Sequence, residues 1–580
     1  MKTHNKIILL IVIMLMVPIT ISAQKSDEIF RAAGSPHNPK VEISFNKYYT
    51  SEGLAAISKK IAEAHPDLVR RQSIGKSTEG RDIWMMAITN YKVGNADRKP
   101  GFYVDGNIHS NEIQGGEIST YTAWYLTENF GDIDYITNML DNRIFYIVPT
   151  INPDARNNYM KEANTGSSPR AGMIKLDDDR DGLFDEDGLE DLDGDGSVTR
   201  MRRKNPNGNM IVDPKDPRIM IEIGPDDVVT AQRYEFLGSE GIDNDGDGLV
   251  NEDRPGYYDP NRDWAWKWQP DYIQRGAYKY PFSAPETRAV ADFVLKHPNI
   301  AGAQSFHNSG GMILRGPGAE EDLSTYNRAD IAIYDAIGKK GERMLPGYRY
   351  MVVYKDLYSV FGGELDWFYG GRGIYTFTNE IFSPFAYYKT KDRDRNQMYE
   401  FEKDLLMGDA FTAWKSYDHP TYGEIEIGGF RKNIGRATPG FMLEEELHRN
   451  MAFTFYHAHH MPMLSVNNVK EKSLGSGLTE ITAYIKNDRL MPTHASHDLK
   501  YKISRPNYIS IKGANVISGM IVTNEDFGVA VEQKNNPERM EVLNISGNSV
   551  VKIRWIVKGT SNYSIHVDSE KGGLASYQTK

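Results

Sequence analysis

The spacing of apolar residues along the chain changes several times, and each change marks a boundary. In Thr50-Ser-Glu-Gly-Leu-Ala-Ala-Ile-Ser-Lys-Lys-Ile-Ala-Glu-Ala-His65, Leu54, Ile57, Ile61 and Ala62 recur at helical spacing behind a hydroxyl N-cap, and His65-Pro-Asp ends the helix. Short apolar runs at 83–88, 102–105 and 144–148 have the length of strands, with a helix predicted over 113–129 between the last two. This alternation predicts an α/β fold with a mixed, mostly parallel sheet flanked by helices. Between about 166 and 258 the rhythm gives way to Asp, Gly, Asn and Pro, read as long inserted loops. It resumes with a helix to about His297, opened by a capping box at Ser283-Ala-Pro-Glu286. A strand at 301–306, a mostly helical stretch at 323–344, a strand at 374–378 and an amphipathic helix over 397–417 follow. His419-Pro420 closes the α/β unit, which thus runs from 24 to 419. A connecting segment, 420–464, holds one more helix at 442–457. Alternating strands such as Val551-Lys-Ile-Arg-Trp-Ile-Val557 then predict a β-sandwich over 465–580.

The first residues follow a different pattern. Lys2 and Lys6 precede an apolar run from Ile7 to Val17 and small residues up to Ala23, the form of a secretory signal peptide over 1–23. Spanning a bilayer takes about 20 apolar residues, so the expectation is export without stable membrane insertion after cleavage. The chain has no cysteine, which excludes thiolate metal sites and favours a periplasmic or secreted bacterial protein over a eukaryotic secreted one. Net charge is −11, with the acid concentrated near 177–195 and 243–253; nucleic acid is an excluded partner.

Candidate chemistry gathers at the ends of the predicted strands, where ligands bind in open α/β sheets. His109 and Glu112, three apart, follow the strand at 101–105; His307 follows 301–306; Glu380 follows 374–379. Two imidazoles and a carboxylate with one open position are what a catalytic zinc accepts. With these residues, and with His65-Pro-Asp-Leu-Val69 and Ser77-Thr-Glu-Gly-Arg-Asp-Ile83 before them, the chain from about Phe45 to Tyr417 resembles the carboxypeptidase A-like zinc metallocarboxypeptidases.

The resemblance implies one catalytic zinc on His109, Glu112 and His307, and Glu380 as general base to a zinc-activated water. It implies Arg203, in preference to Arg202 or Arg200, as the oxyanion arginine, and Asn261 with Arg262 as the clamp on the substrate's terminal carboxylate. Tyr358 matches a tyrosine that closes over substrate, and Leu365 a position that sets the terminal side-chain preference, here apolar. Asn111 departs from the family's arginine between the zinc ligands. The implied activity is hydrolysis of the last peptide bond of peptides or proteins. Two alternatives stay open: a peptidase or deacylase for cell-wall peptides or other carboxylate-ending amides, and a noncatalytic calcium-dependent binding protein.

Two acidic loops share a template, Asp177-Asp-Asp-Arg-Asp-Gly-Leu-Phe-Asp-Glu-Asp187 and Asp243-Asn-Asp-Gly-Asp-Gly-Leu-Val-Asn-Glu-Asp253. The oxygens of Asp177, Asp179, Asp181, Asp185, Glu186 and Asp187, and of Asp243, Asp245, Asp247, Asn251, Glu252 and Asp253, suit structural Ca²⁺. Asp191-Leu-Asp-Gly-Asp-Gly196 is a less complete copy. His457-Ala-His-His460 reads as packing or helix-end charge rather than a second metal site.

Overall fold

A computed structural model describes residues 33–166, 169–177, 180–224, 227–254, 258–390, 396–432, 434–559 and 562–579. The expected signal peptide and Asp179 lie outside the described residues. Helix α1 (Ser51–Ala64) starts at Thr50, whose side chain accepts from the Gly53 N–H. Strands β1 (Val69–Lys76), β2 (Asp82–Ile88), β3 (Gly101–Gly106) and β4 (Ile144–Val148) follow, with α2 (Gln114–Glu128) between the last two and α3 (Pro153–Lys161) after them. The 166–258 region carries β5 (Arg200–Lys204), β6 (Met210–Val212), β7 (Met220–Glu222) and β8 (Arg233–Ser239). After α4 (Pro285–Lys296) come β9 (Ile300–Asn308), β10 (Met312–Arg315), α5 (Arg328–Met344), β11 (Arg349–Val352) and β12 (Tyr375–Ile381). Then α6 (Gln397–Leu405), β13 (Phe411–His419), β14 (Gly423–Phe430) and α7 (Gly440–His459) complete this part.

The central sheet has eight strands in the order β1-β2-β4-β3-β9-β12-β10-β11. The run from β4 through β3 and β9 to β12 is parallel. Every residue of β3, β4 and β9 is buried, because helices cover both faces; that is why these strands read as continuous apolar runs. Phe102, Val104, Phe145 and Phe377 pack with Ile118, Leu126, Leu443, Leu447 and Phe453 on one side. Tyr103, Tyr146 and Ala303 pack with Val290, Phe293 and Trp367 on the other.

Four expectations are corrected here. Residues 411–417 are not helix: Met407 and Gly408 take φ of 57° and 85°, which ends α6, and the chain continues as β13. The insertion is not loops alone, since β5–β8 join β13 and β14 in a six-stranded sheet of order β13-β14-β5-β8-β6-β7. Nor is 420–464 a connector. Helix α7 lies on α2 and buries Leu443, Leu447 and Phe453 in the central core, each contributing about 2 kcal/mol. The capping box also fails: Glu286 accepts from the Thr78 N–H and hydroxyl, while Asp263 accepts the Ser283 and Ala284 N–H groups at the start of α4.

Beyond α7, a five-stranded and a four-stranded antiparallel sheet enclose Ile481, Ile509, Ile553, Trp555 and Val567, an all-β unit of two packed sheets. His457 lies edge-on between the Phe102 and Phe377 rings, at 4.9 and 5.1 Å between centroids, and burial pushes its imidazole down to about 3. His459 instead faces Arg489, 2.8 Å away, so the two histidines do not converge. No described helix is long and apolar enough to cross a membrane.

Candidate metal centre

Strand β3 ends at Gly106, and the chain turns sharply into α2. A Cβ on Gly106 would lie 2.5 Å from the Gly115 backbone, and one on Gly115 would lie 2.9 Å from the Phe306 carbonyl. Only glycine at both positions lets the start of α2 press against the end of β9. Asn107 sits in the turn at φ 59°, a conformation Asn tolerates better than most residues. Its amide donates to the His109 carbonyl at 2.7 Å, and its Oδ1 accepts from the buried Arg156 at 3.0 Å. Arg156 also donates to the Ile113 carbonyl at 2.7 Å and the Glu117 carboxylate at 2.6 Å, locking the turn to α3.

This turn and the end of β9 bring His109, Glu112 and His307 together, all buried. Glu112 Oε2 lies 2.9 Å from His109 Nδ1 and 2.8 Å from His307 Nδ1, and the two Nδ1 atoms are 3.2 Å apart. Burial opposes charge on Glu112, yet the two imidazoles hold its carboxyl well below the usual carboxylate range. Behind His109, its Nε2 lies 2.9 Å from Asp259 Oδ1. A carboxylate there accepts a proton carried on Nε2, the tautomer that turns the Nδ1 lone pair toward the other two donors, whereas the Arg170 guanidinium, 2.9 Å from the same nitrogen, can only donate to it. Behind His307, the Ser305 hydroxyl is 3.5 Å from Nε2 and donates to Glu364 at 3.0 Å. Burial pushes the Glu364 carboxyl well up, with the neighbouring Asp105 adding to the effect. Asp259 is an outer partner of the kind that fixes a metal-bound histidine. Asp259→Ala is expected to weaken metal affinity about 10- to 100-fold, measured by competition with a chromogenic chelator. Unchanged affinity would show that Asp259 does not orient the ligand.

Glu380 lies on β12 directly opposite His307 in the parallel register. Burial, then the nearby Glu112 charge, pushes its carboxyl up to about 7. The 3-10 turn Pro260–Arg262 is opened by Asp259, which accepts the Asn261 N–H at 2.8 Å. Asn261 Oδ1 accepts from the Glu364 N–H at 2.8 Å, so its amide donors remain available. Arg262 is buried; it donates from Nη1 to the Asn261 carbonyl at 2.8 Å, and its Nε has no hydrogen-bond partner among the described residues. Leu365 packs with Leu314, Met351 and Val353 in a small apolar cluster. In that cluster Met312 faces Glu380 across the β10–β12 pairing. Tyr358 is exposed and lies near enough to Arg170 to affect its charge. Asn111 is buried, its N–H on the Pro169 carbonyl at 3.4 Å.

The structure separates one predicted residue from this group. Arg203 Nε donates to Glu235 at 2.7 Å, on the six-stranded sheet; Arg202 is held by Glu426 and by the Trp414 ring. The guanidinium that does reach the ligands belongs to Arg170. It lies 2.9 Å from His109 Nε2, 3.1 Å from Asp259 Oδ2 and 3.4 Å from Glu112 Oε1. Burial disfavours its charge, but Asp259 and Glu112 more than compensate. No motif marks Arg170 in Ser168-Pro-Arg170; Asp259 could have been read from Asp259-Pro-Asn-Arg262 as a carboxylate beside the clamp.

In the acidic loops, oxygens of Asp181, Glu186 and Asp245 lie within 4.8 Å of one another, as do those of Asp243, Asp245 and Asp247 and those of Asp191, Asp193 and Asp195. Asp187 is buried between the loops, accepting from the Asn244 side chain at 2.9 Å and the Asn251 N–H at 3.1 Å. Asp185 and Glu252, both partly buried, have carboxyls pushed up by burial. The Asp187 N–H donates to the Asp253 carbonyl at 3.1 Å, and the Asp177 carboxylate accepts from the Arg180 N–H at 2.6 Å.

Two imidazole nitrogens and a carboxylate oxygen, aimed at one point beyond strand ends with a carboxylate beside them, are the donor set of a mononuclear metallohydrolase, and zinc fits it. A family model for zinc carboxypeptidases matches residues 54–388, and the chain belongs to that family. A second model, for a domain of unknown function, matches 463–580. Among curated relatives, carboxypeptidase A1 of Sus scrofa is 20% identical over 376 residues, covering 62% of this chain and 68% of that one. Human carboxypeptidase D is 27% identical over 135 residues, 23% of this chain; the match spans only about a tenth (10%) of that protein's length. Carboxypeptidase A from Helicoverpa armigera aligns over 72% of this chain and 75% of its own, with 16% identity and a TM-score of 0.42.

Proposed function

We propose that this chain is an exported zinc carboxypeptidase that removes the last residue of peptides or proteins. The carrying observation is the Asp259–Arg262 turn. It holds the metal ligand His109 through Asp259 and presents Asn261 and the buried Arg262, so one rigid element sets the distance from carboxylate clamp to metal. A planar guanidinium with an unpartnered N–H, beside a free amide, matches a carboxylate.

The chain's own groups then have assigned tasks. Arg262 and Asn261 hold the substrate's terminal carboxylate, and the apolar cluster around Leu365 receives an apolar terminal side chain. His109, Glu112 and His307 would hold the zinc, which when bound would supply Lewis acidity toward water and the scissile carbonyl. Glu380 takes the proton of the attacking water and delivers it to the leaving amine. Arg170, at the ligand edge, stabilises the negative charge that develops on the carbonyl oxygen. Tyr358 covers the bound terminus.

Free-acid and C-terminally amidated versions of one peptide test the clamp. The amide is expected to show kcat/KM lower by about 10²-fold or more, as a charge-assisted bidentate contact is lost. Equal cleavage of both would overturn the exopeptidase reading. Catalysis itself needs this test, because one relative, from Ajellomyces capsulatus, is described as an inactive metallocarboxypeptidase.

We also propose that Ca²⁺ occupies the paired acidic loops and ties them together, since so many close carboxylates repel when uncompensated. Calcium chelation with zinc retained is expected to lower Tm by roughly 5 °C or more, restored by added Ca²⁺. An unchanged melting curve would remove calcium from this account.

A further inference from the structure

A cleft of about 710 Å³ is lined by Pro169 and Arg170, beside the metal ligands, together with parts of the chain that lie outside the eight-stranded sheet. One wall comes from the insertion, including Met210, Met220 and Phe236; the other comes from Tyr399, Phe411, Trp414 and Phe430. Arg170, Arg200, Arg218 and Arg254 line it, and among the described residues no aspartate or glutamate does, although the chain holds 79 acidic residues against 68 lysines and arginines. Two of these guanidinium groups are already engaged: Arg170 by Asp259 and Glu112, Arg218 by Asp216 and Glu402. Arg200 and Arg254 are exposed, and Arg200 lies over the Phe236 ring, 5.4 Å from its centroid.

We infer that this cleft binds the part of the peptide preceding the scissile bond and selects chains that carry carboxylate side chains there. The inference rests on the carboxypeptidase reading, which places the terminal residue at Arg262 and the scissile carbonyl at Arg170. Only the upstream part of the peptide remains to be housed, and the cleft opens where that part leaves Arg170. Extended peptide advances about 3.3–3.6 Å per residue, and Arg200 and Arg254 line the same cleft as Arg170, so the upstream side chains housed in it share it with both arginines. Guanidinium forks pair well with carboxylates, and the aromatic walls exclude water and take the aliphatic stems of glutamate. A concave site lined by one sign of charge also concentrates the oppositely charged substrate.

The test uses the full-length, zinc-loaded protein and peptides with one common apolar terminal residue, bearing Glu, Gln or Lys at the second to fourth positions before the scissile bond. Glu peptides are expected to exceed Gln peptides in kcat/KM by roughly tenfold or more at low salt, with the advantage shrinking at high salt. The double variant R200Q/R254Q is expected to bring that ratio close to one. Equal rates for Glu and Gln peptides, or a ratio unchanged in the double variant, would overturn the inference. If no peptide is cleaved, the carboxypeptidase reading fails instead, and the cleft is tested by fluorescence anisotropy of the same labelled peptides. Tighter binding of the Glu peptide that is lost in R200Q/R254Q sustains the inference; equal binding sinks it.

Discussion

Glu380→Gln is expected to lower kcat on a good peptide substrate by about 10³-fold, within the range assigned to a positioned general base, while bound zinc and KM stay near the parent's. The amide keeps the size of the side chain but cannot take a proton. The position opposite His307 in the β9–β12 register is the observation on which the choice of this residue, rather than a more exposed acid, as the proposed base rests. The sign of the pH dependence follows. In the metal-free protein burial and the Glu112 charge push the Glu380 carboxyl up to about 7, and a dication on the three ligands draws it lower. Activity should therefore fall as pH drops below 7, on a limb that the Gln variant lacks. A variant with parental kcat would remove Glu380 from the chemistry.

The second large effect separates two arginines. Arg170→Ala is expected to lower kcat by about 10²- to 10³-fold, the cost of removing one donor to a developing oxyanion, with a smaller change in KM. Arg203→Ala is expected to stay within about threefold of the parent, because removing a partly exposed ion pair away from the ligands alters little beyond about 1 kcal/mol of stability. Zinc content measured on both variants separates lost chemistry from lost metal. The reverse ranking would mean that Arg203 leaves Glu235 and reaches the substrate.

These two arginines also show where reading the sequence succeeds and where it stops. His109, Glu112, His307 and Glu380 were legible because each follows an apolar strand, and strand ends are where this class of sheet binds ligands. Their convergence then depends only on β3, β9 and β12 being neighbours, which the parallel core supplies. Arg203 is implied only by the family resemblance, yet Arg200–Lys204 forms β5, and its pairing with β8 sets Arg203 against Glu235. No periodic pattern announces β5 within an Asp- and Gly-rich stretch, so its side-chain directions could not be foreseen. The helix predicted over 397–417 holds only to Leu405 for a related reason: helical spacing of apolar residues continues beyond it, but positive φ at Met407 and Gly408 and the pairing of β13 with β14 override it.

By itself, then, the sequence determined the α/β core, the all-β C-terminal unit, the three metal-ligand candidates, the glutamate beside them and the Asn261-Arg262 pair. All of these are local: a strand period, a strand end, a short motif. Tertiary structure alone decided that Asp259 holds His109, that Arg170 is the cation at the ligands, that α7 belongs to the core, and that four arginines share one cleft. Each of those depends on contacts between segments far apart in the chain. Hydrophobic period carries no information about such contacts, because it reports which face of an element is buried and not what it is buried against.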